Sequence, residues 1–306
     1  MRNTDHHERR GRRERMAIAY AVMFGATVGC HPATKLGAED FDQIRTDLPP
    51  GTSDLTLDEH EHLWAIAERA PMVAEIVITG SPPTATIVRH PLDGVPAGVD
   101  TEALAYLGNG RFAIGTEGHD EPSAQVLFGQ LGPDGHIALT PGFSISSEML
   151  GVQLRKNHGV EALCGTRADL VVGIETVGVL ASGARYAPIV RVREHARVVQ
   201  RLLLTTDRGK LSALTCTISK DGTVDLLAIE RNYGVTRLLH AQARIDQQDI
   251  RPEVVVDLWP MIHARFHEKL NLEGIARLRD GRIVLVNDNE GKGLDGPTWL
   301  FVFRPH

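Results

Sequence analysis

An all-β fold built from one repeated two-strand unit is what this sequence predicts, and three observations carry that reading. A short phrase recurs five times: a polar residue, a tight apolar triplet, a turn rich in Gly, Asn or Asp, a second apolar run, then usually an acid. It runs from Ser53 to Glu68, Glu102 to Glu117, Glu161 to Glu175, Ser212 to Glu230, and Glu273 to Asp288. The turns inside it are hairpin turns: Gly108-Asn109-Gly110 in the second repeat, Lys220-Asp221-Gly222 in the fourth and Arg279-Asp280-Gly281 in the fifth place residues that tolerate positive φ between apolar runs. The flanking strands are apolar without clean alternation, the pattern of strands covered on both faces. Repeats spaced by roughly 50 residues with these properties describe a single β-propeller, one blade per repeat. Five blades fit the five phrases, six being the alternative if one blade lacks a recognisable phrase.

In chain order, residues 1–29 read as a signal peptide. Arg9, Arg10, Arg12, Arg13 and Arg15 form a basic run, and Met16 to Gly29 carry no charge, an apolar stretch too short for a comfortable transmembrane helix. Val28-Gly29 before Cys30 resembles a bacterial lipobox, which marks Cys30 for lipidation; Thr27 stands where that motif usually has Leu, and the alternative is an ordinary signal peptide with Cys30 incidental. The expected product is an exported chain, a periplasmic or outer-membrane lipoprotein that touches membrane only through Cys30. Residues 30–50 form the linker and a closing strand around Phe41 to Leu48, and 51–306 the propeller, in which Trp299 to Arg304 leaves the last blade one strand short. The N-terminal strand completes it and closes the ring. Outer strands follow each hairpin: Ala74 to Thr79 and Thr86 to His90, Gln125 to Gln130 and Ile137 to Leu139, Ile189 to Arg193 and Val198 to Thr205, Leu238 to Ile245 and Glu253 to Leu258. Trp259 to Leu270 reads as a short helix or loop insertion.

The 306 residues carry a formal net charge of −6. Residues 1–29 hold six basic and three acidic side chains, so the remainder carries 27 basic against 36 acidic, a net charge of −9. That excludes nucleic acid as the expected partner, since phosphate backbones are bound by surplus Lys and Arg; a cationic ligand, or an anionic one bridged by metal, fits better. Beyond Cys30 only Cys164 and Cys216 remain. Their one-residue offset within neighbouring repeats points them to opposite strand faces, so two buried thiols are expected rather than a disulfide.

A hairpin returns the chain to the end it left, so the first and last residues of each phrase lie together. Glu102, Glu161 and Glu273, joined by Ser53 and Ser212, converge on one axial opening, and Glu68, Glu117, Glu175, Glu230 and Asp288 form a wider ring. Clustered carboxylates need compensation. Calcium, which takes six to eight oxygen ligands, supplies it, and no His-Cys cluster at zinc spacing argues for a softer metal. The alternative is structural: polar residues at strand starts bind backbone groups of adjacent blades and brace the ring. His158 and His119 stand close enough to the same face to serve as acid or base, or else are solvated. Arg69 and Arg231, each directly after a closing acid, are placed to hold a phosphate or carboxylate bidentately, or to pair with neighbouring acids. No G-x-S-x-G elbow, phosphate-binding Gly loop or H-E-x-x-H is present.

Asn271-Leu-Glu-Gly-Ile-Ala, Asp280-Gly-Arg-Ile-Val-Leu-Val-Asn-Asp-Asn-Glu and Gly296-Pro-Thr-Trp-Leu-Phe-Val-Phe resemble the closing blade of the phytase-like family named for an esterase-like activity of phytase. Leu226-Leu-Ala-Ile-Glu-Arg-Asn-Tyr and Asn157-His-Gly-Val-Glu-Ala-Leu are similar to other strands of that family, and Asp100-Thr-Glu-Ala-Leu-Ala-Tyr-Leu-Gly-Asn-Gly-Arg-Phe resembles the SdiA-regulated propellers. The resemblance implies a secreted or envelope-attached propeller with a carboxylate-rich central site, calcium-dependent and acting on phosphate or other esters. Asp54 stands where the first phrase of that pattern has Gly, and Gly118 follows Glu117 without a basic partner. The expectation is a monomeric calcium-dependent hydrolase of a small ester. Its rivals are a non-catalytic propeller that binds a small ligand, glycan or envelope partner on the same face, and a structural scaffold whose opening is plugged by side chains.

Overall fold

The computed structural model describes residues 40–194, 196–266, 270–289 and 297–304. The expected signal peptide and Cys30 lie outside them. Among the described residues no helix is long and apolar enough to cross a membrane.

Strand β1 (Asp42–Arg45) precedes a chain of antiparallel meanders. The first is β2 (Thr52–Leu57), β3 (Leu63–Ala67), β4 (Met72–Thr79) and β5 (Thr84–Asp93); the second is β6 (Val99–Gly108), β7 (Arg111–Gly118), β8 (Ala124–Leu131) and β9 (Ile137–Ser144). After a helical turn, α1 (Ser147–Leu150), capped by Ser146 and ended by Gly151 in the left-handed region, the third meander follows: β10 (Val160–Thr166), β11 (Asp169–Ile174), the short β12 (Gly178–Val179), β13 (Arg185–Arg193) and β14 (Ala196–Leu203). The fourth comprises β15 (Lys210–Ile218), β16 (Val224–Asn232), β17 (Val235–Ala243) and, past the two-residue β18 (Asp249–Ile250), β19 (Glu253–Asp257). Helix α2 (Trp259–Phe266) leads to β20 (Asn271–Arg277), β21 (Ile283–Asp288) and β22 (Trp299–Phe303), and β1 pairs antiparallel with β22, Asp42 opposite Val302. The fold is all-β. Parallel two-residue pairings join β5 to β9, making one eight-stranded sheet of the first two meanders, and β14 to β18.

The apolar runs that lacked alternation are buried on both sides, and their side chains form the layers between meanders. Trp64, Ile66 and Val73 pack on Leu104, Phe112 and Ile114; Ala103 and Val126 on Leu163 and Val172; Ile189 and Leu202 on Leu214 and Leu226; Ile229 and Leu238 on Ile275 and Phe301. Ile44, Val284 and Val286 then pack on Leu55 and Leu63 of the first. Each Val, Leu, Ile or Phe side chain so removed from water contributes about 1.5–3 kcal/mol. The first strands of the meanders touch in series, β2 with β6, β6 with β10, β10 with β15, β15 with β20, and β20 with β2.

Cys164 on β10 and Cys216 on β15 form a disulfide, Cα to Cα 5.7 Å. This corrects the expectation of two thiols. Sheets packed side by side meet through opposite faces, one sheet's left against the next one's right, so an offset of one residue between their strands brings two side chains together. The same third-to-fourth layer holds a wholly buried Arg191, whose Nε and Nη2 donate to Asp169 Oδ1 and Oδ2 at 2.8 and 2.5 Å, while Nη2 also donates to the Gly222 carbonyl at 2.6 Å.

Candidate functional site

Five β-bulges sit at the same place in five meanders. Register shifts fall between Thr52 and Asp54, Thr101 and Ala103, Val160 and Ala162, Leu211 and Ala213, and Leu272 and Gly274. The skipped residues are Ser53, Glu102, Glu161, Ser212 and Glu273, the polar residues that open the five phrases. A bulge leaves its extra residue without a ladder partner and re-aims its side chain, a device common beside active sites. Ser53 and Ser212 spend that freedom on bracing: Ser53 Oγ donates to the Gly51 carbonyl at 3.0 Å, and Ser212 Oγ to the Leu272 carbonyl at 3.1 Å. The three glutamates are buried.

The cross-strand partners at this end complete the cluster. Glu117 lies opposite Asp100 and Asp288 opposite Asn271, while the amides of Glu68 and Glu175 donate to the carbonyls of Gly51 and Gly159 at 2.8 and 3.1 Å. Carboxylate oxygens of Glu68, Asp100 and Glu102 lie within 4.8 Å of one another, as do those of Glu117, Glu161 and Glu175, and those of Glu68, Glu273 and Asp288. Six of the seven acids predicted as metal ligands, Glu102, Glu161, Glu273, Glu117, Glu175 and Asp288, are thus brought together with Glu68. Glu117 is seated by Gly159, whose N–H donates to Glu117 Oε2 at 3.2 Å and whose missing side chain makes room, since a Cβ there would stand 2.6 Å from that of Glu117.

Glu230 is the exception and a correction. In β16 it lies opposite Leu211, one residue before the equivalent position, and a step of one residue turns a strand side chain to the other face. There it accepts the backbone N–H groups of Thr205 and Thr206 at 2.9 and 3.0 Å and both their hydroxyls at 2.5 Å, tying down the loop between β14 and β15. Arg231, opposite Lys210, takes the place that acids occupy in the other meanders. Arg69 and Arg231 are therefore not equivalent. Arg69 is half-exposed at the rim, 3.6 Å from Glu68 and 3.9 Å from Asp100, whereas Arg231 Nη2 reaches Glu273 Oε1 at 2.5 Å.

The fourth meander thus supplies two cations, Lys210 and Arg231, to a largely acidic opening. Lys210 Nζ pairs with Glu175 Oε1, and His158 Nδ1 faces Glu175 Oε2. Asn271 Nδ2 donates to both Glu273 and Asp288 at 2.8 Å, and His119 Nδ1 stands 3.3 Å from Asp100. Lys210, Asp100 and Asn271 were not among the predicted site residues. Each sits two places before a bulge, so a polar residue at that offset was the available signal.

A family model described as phytase-like, esterase-like activity of phytase, matches residues 50–291. The chain belongs to that phytase-like family. A search of curated proteins found no match. Among solved structures, the phytase-like chain is similar to the aldose sugar dehydrogenase of Streptomyces coelicolor in its PQQ-bound form, at 9% identity over 86% of this chain and 98% of that one, TM-score 0.48. It is also similar to virginiamycin B lyase from Staphylococcus aureus, at 10% identity over 86% and 98%, TM-score 0.43, and to a Dyadobacter fermentans protein of unknown function, at 10% over 87% and 84%, TM-score 0.43.

Electrostatics divide the phytase-like site into two halves. Burial pushes the Glu161 carboxyl from 4.5 up to about 8, with Glu273 and Glu117 adding repulsion and Lys210 and Arg231 opposing it. Glu102 is driven well above the ordinary carboxylate range by burial and then by Glu68, Glu161, Glu117 and Glu273, and Glu117 is raised by burial and by Asp100. His158 is held below its ordinary value by burial and by Lys210, so its imidazole is neutral at pH 7. The half near the fourth meander has its charges paired. The half formed by Glu68, Asp100, Glu102 and Glu117 holds closely spaced acids, all but Glu68 buried, whose ionised forms repel; the rim guanidinium of Arg69 lies beside Glu68 and Asp100, and the His119 ring beside Asp100. An all-oxygen donor set of that kind fits a hard divalent cation.

Asp54 is fully buried and cross-links two strands: Oδ2 accepts the Leu104 N–H of β6 at 2.9 Å and Oδ1 the Leu55 N–H at 2.8 Å. Gly274 permits this, since a Cβ there would stand 2.9 Å from the Asp54 Cα.

Proposed function

We propose that the phytase-like chain is an exported, monomeric five-bladed propeller, closed by β1 on β22, that hydrolyses a small phosphate or carboxylic ester with calcium in its carboxylate opening. The observation that carries this reading is the division of the site: closely spaced acids on the first two meanders, all but Glu68 buried, and Lys210 and Arg231 on the fourth. Glu68, Asp100 and Glu102, with Glu117, Glu161, Glu273 and Asp288 around them, would hold the cation. Calcium, when bound, polarises an ester oxygen and acidifies a water. Lys210 and Arg231 turn from Glu175 and Glu273 to the anionic part of the substrate. Neutral His158, its Nδ1 on Glu175, takes the proton of the attacking water at Nε2, and Glu175 steadies the imidazolium. Export is supported by the Cys164–Cys216 disulfide, a bond that persists in oxidising compartments.

The test is turnover of p-nitrophenyl phosphate and p-nitrophenyl acetate with calcium or chelator. Calcium-dependent hydrolysis, abolished in Glu102→Gln with an unchanged circular dichroism spectrum, is expected; chelator-insensitive hydrolysis, or none of either ester, overturns the reading. Non-catalytic ligand binding is favoured by one observation, that Lys210 and Arg231 are already paired with acids. It predicts ligand binding on this face without turnover and without need of calcium.

A further inference from the structure

Beyond the far end of β2 from the carboxylate opening, the hairpin turn to β3 meets the outer strands of the same meander in a second cluster of different chemistry. Asp58 and His62 come from the turn, Glu75 from β4 and His90 from β5. His62 Nδ1 lies 2.5 Å from Glu75 Oε1 and 3.9 Å from Asp58 Oδ2, with the ligand atoms of all three within 4.8 Å of one another. His90 Nε2 approaches the other Glu75 oxygen at 3.5 Å. Two imidazoles and two carboxylates are a donor set for a borderline metal rather than for calcium.

His90 supplies the independent observation. It is 8% exposed, and its Nε2 is fully buried with no hydrogen-bond partner among the described residues. Its Nδ1 lies 2.9 Å from the Gly135 carbonyl, which can only accept, so Nδ1 carries a proton and Nε2 is the ring nitrogen left facing Glu75. At 3.5 Å, Nε2 and the Glu75 oxygen are farther apart than hydrogen-bonded partners, which leaves both as donor atoms for a cation between them. The short His62–Glu75 contact leaves His90 Nε2 still without a hydrogen-bond partner. An imidazole whose second nitrogen donates to a carbonyl is the usual arrangement of a metal-ligating histidine.

The surroundings are also those of a held ligand set. Asp58 Oδ1 accepts the N–H groups of His60 and His62 at 2.8 and 2.9 Å, and the turn is closed by Asp58 N–H donating to the His62 carbonyl at 3.0 Å. Trp64 Nε1 donates to Asp58 Oδ2 at 3.0 Å, and its ring lies 5.1 Å from that of His90. His62 and Glu75 remain partly open to solvent, giving the ion a way in.

We propose that Asp58, His62, Glu75 and His90 form a binding site for a divalent transition metal of zinc-like chemistry, distinct from the carboxylate opening. The metal ties the first hairpin to the outer strands of its own meander and, through Gly135, to the second.

The experiment uses the whole protein stripped with chelator and titrated with zinc(II), and with cobalt(II) to read ligand-field absorption in the visible. One equivalent of either metal is expected, with a cobalt band of low coordination number. His62→Gln and Glu75→Gln, chosen because both side chains are partly exposed, lose zinc affinity by more than the roughly 100-fold that a supporting residue costs, with unchanged circular dichroism spectra. Glu102→Gln retains full zinc binding, which separates this site from the proposed calcium site. No retained zinc and no cobalt band in the wild type, or binding equal in His62→Gln and wild type, overturns the proposal.

Discussion

Stripping the protein of divalent cations and raising the pH destabilises it, and Glu161 sets the scale. Its folded-state carboxyl titrates at about 8 against an ordinary 4.5, the largest cause being burial. Between those values the folded chain holds a proton that the unfolded chain has released, so stability falls as pH rises through the window. Below 4.5 both states are protonated and the penalty vanishes. A gap from 4.5 to about 8 corresponds to about 5 kcal/mol once the pH exceeds the upper value. Glu102 and Glu117 are displaced in the same direction and add to the loss with the same sign. The assay is urea unfolding followed by circular dichroism, in chelator, at about pH 5 and about pH 8.5, spanning the window between an ordinary and a raised carboxyl. The wild type is expected to lose several kcal/mol across that interval, Glu161→Gln to lose less by about the share of one carboxyl, and saturating calcium to flatten the wild-type profile. A wild-type profile already flat in chelator, or one that Glu161→Gln reproduces, refutes the reasoning.

Three further outcomes follow from the packing. Replacing Cys164 and Cys216 by Ala opens a loop closed across 52 residues, at a cost of about 4 kcal/mol by loop-closure entropy, read as a lowered urea midpoint that reducing agent reproduces in the wild type. Arg191→Ala leaves Asp169 buried without its main partner and lowers stability by about 3–5 kcal/mol, whereas Arg191→Ala with Asp169→Ala recovers part of it. Glu230→Ala strands four donors from Thr205 and Thr206 and destabilises by about 3 kcal/mol, yet leaves calcium affinity unchanged, because Glu230 faces away from the opening.

How much of this was legible in the sequence depends on the range of the signal. The five phrases carry their hairpins locally, in turn residues and apolar runs, and Ala103 to Thr116 could be read as two strands without knowing what lay beside them. The convergence of Glu102, Glu161 and Glu273 followed from the same phrases. The bulges were not legible, because an extra residue in a strand leaves no compositional mark. Glu230 closes its phrase one residue earlier in register than Glu117 and Asp288 close theirs, and only the pairing of β15 with β16 shows that Arg231 holds the equivalent place. Lys210 carries the same weak signal as Asp100 and Asn271, a polar residue two places before the residue that opens the phrase. The Cys164–Cys216 disulfide is not visible from strand offset within one sheet, because the two strands lie in side-by-side sheets that meet through opposite faces. Asp58, His62, Glu75 and His90 come from a turn and two strands at no motif spacing, and only pairing of β3, β4 and β5 assembles them.

The central claim is that the acids of the first, second, third and fifth meanders form a cation site. Calorimetric titration of calcium into the chelator-treated protein near neutral pH tests it most directly. Saturable calcium binding is predicted, abolished in Glu102→Gln, retained in Glu230→Ala and accompanied by a raised melting temperature, since a ligand specific to the folded state must stabilise it. Absence of binding heat and of a melting shift at millimolar calcium, or binding that survives Glu102→Gln, would contradict the account.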